Sequence, residues 1–398
     1  MKKFGPGLLV TAAFIGPGSI ATASAAGANT GFVLLWALLF SLVATMVLQE
    51  MAARLGLVSG DGLSQALRTT FRNPLISRTA VILVVSAIGV GNAAYEAGNI
   101  SGAALGLQTL LPLSASASAL VLGGLAALLL GSGGYKLLEP ILIVLVLIMS
   151  TVFVVTMLMI DLDFGAMLAG MVKPSIPAGS ALTVVALIGT TVVPYNLFLH
   201  ANIVQEKWRG VGTRQAIAES RADTVISIGL GGLITLAVMS TSAVAFFNTG
   251  APFSASSLAT QLEPVLGKAA NGFFAFGLMA AGLTSAITAP LAAAYAVSGA
   301  MGWPTDFSDK RFTAIWVLVL VVGTLFAALG TKPIAAILFA QAANGVLLPV
   351  TAIFLIIIMN RADLLGDYRN RLLSNLLAVA VVAVVTGLGL WNIVRLFV

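Results

Sequence analysis

The sequence predicts an all-α integral membrane protein in which two five-helix halves run in opposite directions and an eleventh helix follows. Three observations carry that expectation. Hydrophobic residues make up 59% of the chain and charged ones only 9%, against about 25% charged in soluble domains, so the bilayer is the solvent. Runs long enough to cross it, about 20 mostly apolar residues each, lie between charged or turn-rich breaks at 7–27, 31–55, 78–106, 114–131, 138–160, 181–204, 223–247, 269–301, 312–330, 334–359 and 373–396. The first and sixth runs are interrupted, at Gly16-Pro17-Gly18-Ser19 and at Val193-Pro194-Tyr195.

In chain order, the first run follows Met1-Lys2-Lys3, and its apolar stretch Leu8 to Ile15 and small residues Ala21 to Ala28 also have the order of a cleavable signal peptide. Near the end of the second, Glu50 and Arg54 stand four apart, the spacing of an ion pair on one helix face. The third and eighth runs exceed a perpendicular crossing, so they tilt or protrude. Of fourteen acidic residues, only Glu96 in the third lies well inside an apolar run. Gly131-Ser132-Gly133-Gly134, between the fourth and fifth, lacks the lysine spacing and strand context of a phosphate loop and reads as a turn. The sixth run carries the second break and the only histidine, His200. Gly229-Leu230-Gly231-Gly232 in the seventh reads as a helix-packing face. No long polar linker divides the chain, so 1–398 reads as a single transmembrane domain, with 1–160 and 181–359 as the repeats and 373–396 as the added helix.

Charge placement tests the count independently, because Lys and Arg concentrate in short cytoplasmic loops. With the N-terminus inside, all basic residues of the chain fall on the cytoplasmic side except Lys173, Lys268, Lys332 and Arg395. Lys2, Lys3, Arg54, Arg68, Arg72, Arg78 and Lys136 fall inside in the first half. Lys207, Arg209, Arg214, Arg221, Lys310, Arg311, Arg361, Arg369 and Arg371 do so in the second. A miscounted helix would invert every later loop and scramble that split. The expectation is a plasma (inner) membrane protein with a cytoplasmic N-terminus and an external C-terminus. The net charge of +6 is spread over topology-setting loops rather than gathered in a patch, which argues against nucleic-acid binding.

Function classes narrow further. With no cysteine, disulfides, thiolate metal sites and cysteine nucleophiles are excluded. No nucleophile with an adjacent base suggests an enzyme, no ATPase motif is present, and no cofactor is implied. The breaks are informative because proline removes a donor and glycine weakens a helix, so freed backbone groups inside a bilayer must face protein or a water-filled cavity. A single break can be a packing kink. Two at corresponding positions, five helices apart and therefore oppositely directed, point to a midplane substrate site and alternating access.

Several stretches are similar to one family: GPGLLVTAAFIGPGSIATASAAGANTGFVLLW within Gly5 to Leu67, ALIGTTVVPYNLFLHANIVQ from Ala186 to Gln205, EAGNISGAALGL from Glu96 to Leu107, AGLTSAIT from Ala281 to Thr288, and Gln341 to Pro349. They resemble the NRAMP (natural resistance-associated macrophage protein) family of proton-coupled divalent-metal transporters, in order and over nearly the whole chain. The resemblance implies the LeuT-like fold, metal-ion symport and a proton route through His200. Where that family carries Asp-Pro-Gly-Asn, this chain has Gly16-Pro17-Gly18-Ser19, and its Met-Pro-His is matched by Val193-Pro194-Tyr195. Asn196, His200 and Gln341 are retained, and the acids of the third helix are matched by Glu96 and Asn99.

The candidate substrate-binding residues are Gly16, Gly18, Ser19, Thr190, Val193, Tyr195, Asn196, Gln341 and Asn344, with Thr191, Thr284, Ser285 and Thr288 nearby. No metal ligand set is evident among them. Stripping water from a divalent cation is offset by anionic oxygen or by sulfur and imidazole, which these residues lack, while half-helix N-termini at both breaks favour a negative group. Residue chemistry therefore points to a carboxylate-bearing, zwitterionic or neutral solute, and family resemblance to a metal cation. Glu96 and His200 are the candidates for proton coupling, since intramembrane ionisable groups mark pathways; each also has a purely structural reading, Glu96 bonded to Asn92, Asn99 or Tyr95.

Overall fold

The computed structural model describes residues 6–7, 15–71, 73–329 and 332–395. Lys2, Lys3, Arg72 and the 8–14 stretch of the first expected span lie outside the described residues. What is described is all-helical, and ten of its helices or helix pairs are long and apolar enough to cross a bilayer. These ten match the second to eleventh runs of the sequence. The first run is represented by α1, Pro17–Thr30.

α1 enters the core rather than standing apart: its residues from Pro17 to Ala28 are buried on every side. It ends at Gly31, whose φ of +58° lets its N–H reach Gly27 O at 2.9 Å. α2, Leu35–Ser59, and the short α3, Leu63–Thr70, follow. α4, Pro74–Leu110, has 37 residues, about 55 Å at ~1.5 Å per residue, so it tilts or protrudes as its length requires. Asn73 caps it, its Oδ1 accepting from Leu75 N at 2.9 Å. α5, Ala115–Ser132, stops at Gly133 with φ +69°, and α6, Tyr135–Met159, starts directly after Gly134, so the glycine run is a turn.

Two features depart from the hydropathy reading. α7, Phe164–Val172, sits between the fifth and sixth spans with Phe164, Leu168 and Val172 exposed, too short to cross and suited to the membrane surface. The seventh span is the later part of a longer α10, Thr213–Phe246, because residues 213–222 are too polar to count as membrane yet continue the helix. Within it Gly232 faces Leu42 of α2, while Gly229 has open space, so only part of the small-residue run packs helices.

The sixth span is two helices, α8, Ala181–Thr191, and α9, Pro194–Lys207, separated by Val192 and Val193. α11, Ala270–Met301, α12, Lys310–Ala328, α13, Pro333–Met359, and α14, Leu372–Arg395, complete the chain. α4 is the central post, packed most extensively on α11, α13 and α12; α1 packs on α10, α13 and α8. Large apolar residues such as Leu128, Leu158 and Leu372 stand exposed on the outer helices, the surface a bilayer covers.

The loops rich in arginine share one face. Arg361 Nη1 donates to Thr69 O at 2.9 Å, Arg54 Nη1 to Tyr368 O at 2.5 Å, and Ser77 Oγ to Arg68 O at 3.2 Å. The expected Glu50–Arg54 pair is present at 3.0 Å, with Arg221 of α10 sharing the same carboxylate at 2.8 Å.

Candidate functional site at the helix breaks

The two breaks meet. Pro17 and Pro194 each stand at the first position of their helix, where a missing N–H costs nothing, and the residues before them, Gly16 and Val193, are extended. Neither helix start has a side-chain cap. Ser19 Oγ, on the first turn of α1, lies 2.9 Å from Thr190 Oγ1, at the end of α8, and both are buried. Val193 is fully buried at the second break. The C-terminal carbonyls of α8 and the N-terminal N–H groups of α1 and α9 therefore open on the same region, one end of helix dipole of each sign.

Gln341 of α13 reaches toward this region, while Asn344, one turn on, has its Oδ1 beside Gly91 of α4. A Cβ built on Gly18 would lie 2.2 Å from Gln341 Nε2, and one on Gly16 would lie 2.8 Å from Ser285 Oγ of α11. The glycines thus leave room for polar side chains arriving from α13 and α11. α13 can come this close because Gly189 of α8 and Gly345 of α13 cross backbone on backbone, a Cβ on Gly189 falling 2.0 Å from Gln341 O.

Asn196, on the first turn of α9, is fully buried, and among the described residues neither its Oδ1 nor its Nδ2 has a hydrogen-bond partner; the same holds for Oε1 and Nε2 of Gln341 and for Nδ2 of Asn344. Such groups are rare in folded proteins, and each unpaired atom costs about 1–3 kcal/mol. By contrast, Thr191 donates to Leu187 O, Thr284 to Ala280 O and Thr288 to Thr284 O, so these hydroxyl protons are spent on their own helices.

Tyr195 packs edge-on against Tyr95 of α4, ring centroids 5.8 Å apart, which joins the break to the acid beside it. Glu96 is fully buried with its stem on Gly323 of α12. Its Oε2 accepts from Asn99 Nδ2 at 3.3 Å and its Oε1 has no partner. Asn92 donates to Ile88 O instead, so of the two asparagines considered for Glu96 only Asn99 serves it. His200, two turns into α9, pairs through Nδ1 with Oε1 of Gln49 on α2 at 2.9 Å, while Nε2 is unpartnered. Gln49 carries no sequence signal for this role: it lies 151 residues from its partner.

Among the described residues, no three of His, Cys, Asp and Glu gather where they could share an ion. The ligands on offer at the breaks are hydroxyls, carboxamides and backbone groups.

The chain is similar along its whole length to known transporters. The divalent metal cation transporter MntH of Klebsiella pneumoniae subsp. pneumoniae is 30% identical over 99% of this chain and 94% of its own. That of Burkholderia ambifaria is 29% identical over 97% of this chain and 87% of its own. Among solved structures, a mutant of the Eremococcus coleocola manganese transporter superposes with a TM-score of 0.78 at 21% identity, covering 98% of this chain and 85% of that one. Mhp1, a nucleobase-cation-symport-1 family transporter in a closed conformation, gives 0.58 at 16% identity, covering 97% and 91%. These likenesses place the LeuT-like fold. The family model described as natural resistance-associated macrophage protein-like matches residues 7–395, and the chain belongs to that family.

Proposed function

We propose that this protein is a secondary-active transporter of the plasma membrane that works by alternating access, with its cargo held at the two helix breaks. The observation that carries the reading is a pair of buried carboxamides, Asn196 on the first turn of α9 and Gln341 against Gly18, without hydrogen-bond partners among the described residues, at breaks joined by the Ser19–Thr190 contact. Gly16, Gly18, Ser19, Thr190, Val193, Tyr195, Asn196, Gln341 and Asn344 are assigned to the cargo, Glu96 and His200 to a proton path. The proposed orientation has the N-terminus in the cytoplasm and 1–160 and 181–359 as inverted repeats.

Because full-length relatives are named divalent metal cation transporters, a metal cation is the first cargo to test. Here it would meet neutral oxygens and the carbonyl end of α8, a ligand set suited to a hard cation that keeps much of its water, held weakly. A second reading has its own support. The N–H groups at the starts of α1 and α9 have no side-chain cap and no acidic residue in the first turn among the described residues, and with the α8 carbonyls nearby they match the two ends of a zwitterion or a small carboxylate.

Uptake into proteoliposomes decides between them, using manganese, magnesium, amino acids and small carboxylates, each with and without a pH gradient. Saturable uptake with counter-flow supports a transporter over a channel. Micromolar binding of manganese or magnesium at the breaks would sink the organic-solute reading; organic uptake without metal uptake would sink the metal one.

A further inference from the structure

On the arginine-rich face, a cleft of about 590 Å³ opens between the start of α10 and the loop leading into α14, lined by Arg54, Arg214, Arg221, Arg369 and Arg371 with Asp367 as its one acid. Glu50 answers two of these guanidinium groups, Arg54 and Arg221. Among the described residues, Arg214, Arg369 and Arg371 have no ion-pair partner. The cleft is preformed. Arg54, only 5% exposed, holds Glu50 through two bonds of 3.0 Å and also donates to Tyr368 O and, at 2.8 Å, to Asn370 Oδ1, pinning the 366–371 loop to α2.

On α10, Arg214, Ile217 and Arg221 line the cleft at helical spacing, Ile217 being buried and Val225, the next residue of that stripe, exposed. One apolar surface continues from this cationic floor. On α14, Leu372, Leu373, Leu376 and Leu377 begin directly after Arg371 and are 76%, 69%, 58% and 42% exposed. A soluble anion would use the guanidinium groups and leave the leucines unused. A molecule with an anionic head and hydrocarbon tails uses both. Guanidinium forks match phosphate oxygens two at a time, and basic pockets at the membrane surface between helices suit lipid phosphates.

We propose that this cleft binds the phosphate of an anionic phospholipid, with the acyl chains lying along the leucine face of α14. The proposal is independent of the cargo. The test is native mass spectrometry of the full-length protein with added phosphatidylglycerol or phosphatidylcholine, on the parent and on the combined Arg214→Gln, Arg369→Gln, Arg371→Gln variant. Monodispersity of each is checked by size exclusion, and the matching Arg→Lys variant keeps the charge should the glutamine variant fail to fold. Expected is retention of phosphatidylglycerol over phosphatidylcholine by the parent, weakened about tenfold or more by the three glutamines and largely kept by the lysines. Equal retention of both lipids, or no change on removing the arginines, would overturn it. So would displacement of the lipid by millimolar inorganic phosphate that stabilises the protein equally alone, which would name a free anion as the ligand.

Discussion

Gln341 shows how one side chain is placed by residues far from it. Its amide occupies the space a side chain on Gly18 would take, and both of its polar atoms are unpartnered although the residue is fully buried. Gln341→Ala is therefore expected to raise the half-saturation concentration for cargo about tenfold, the worth of about one hydrogen bond of ~1.5 kcal/mol, with folding intact by size exclusion. Gly18→Ala should act in the same direction by pushing the amide aside. Glu96 is separable from cargo binding because its stem packs on Gly323 of α12 and its Oε2 accepts from Asn99, while it is the neighbouring Tyr95 that packs on Tyr195 at the break. Glu96→Gln is expected to abolish accumulation driven by a proton gradient while substrate binding, measured by calorimetry, stays within about twofold. Normal accumulation by that variant would remove Glu96 from the coupling mechanism. At this scale the sequence was informative about which polar residues stand in apolar runs, since burial there is costly enough to flag them. It was silent on Gln49 and on which asparagine serves Glu96, because those are matters of helix rotation and of partners from remote segments.

Elements were legible in proportion to how much of each the bilayer solvates. Spans two to eleven are where twenty-residue apolar runs put them, and both interrupted runs begin their second half at a proline. α7 was invisible because nine residues cannot make a span, and the first turns of α10 because water, not lipid, surrounds them. The close crossing of α8 and α13 was also unreadable, since a glycine in a membrane run gives no hint of what approaches it. That crossing makes a clean comparison. Gly189→Ala would drive a Cβ to 2.0 Å from a backbone carbonyl, which cannot rotate away, and is expected to cost about 1–3 kcal/mol by overpacking, seen as a lower melting temperature in detergent. Gly229→Ala, with nothing within 4 Å, should leave the melting temperature unchanged or raise it, as a helix-interior glycine is about 0.5–1 kcal/mol worse than alanine. Equal effects at the two positions would mean that α8 and α13 do not touch as described.

For the whole molecule the question is whether the scaffold or only its ligands decides the cargo. The fold superposes on a manganese transporter over almost its full length; where the family resemblance implies a carboxylate, a carboxamide and a thioether, the breaks present Gly16, Ser19 and Val193. Restoring Gly16→Asp, Ser19→Asn and Val193→Met together asks whether ligands suffice. The space permits the first: among the described residues the new Cβ meets only the hydroxyl and Cβ of Ser285, at 2.8 and 3.8 Å, and the hydroxyl can turn away. The second gives up the Ser19–Thr190 contact. The third places a longer but unbranched, adaptable chain in a fully buried position. A stability loss of about 1–3 kcal/mol is expected from the packing changes, within what a well-folded membrane domain tolerates. Saturable manganese uptake well above the parent's should then appear and vanish again when Gly16→Asp is left out, because the carboxylate supplies the charge that offsets dehydration of the ion. A monodisperse triple variant that gains no manganese uptake would show that ligands at the breaks do not suffice and that helix packing beyond them also decides the cargo.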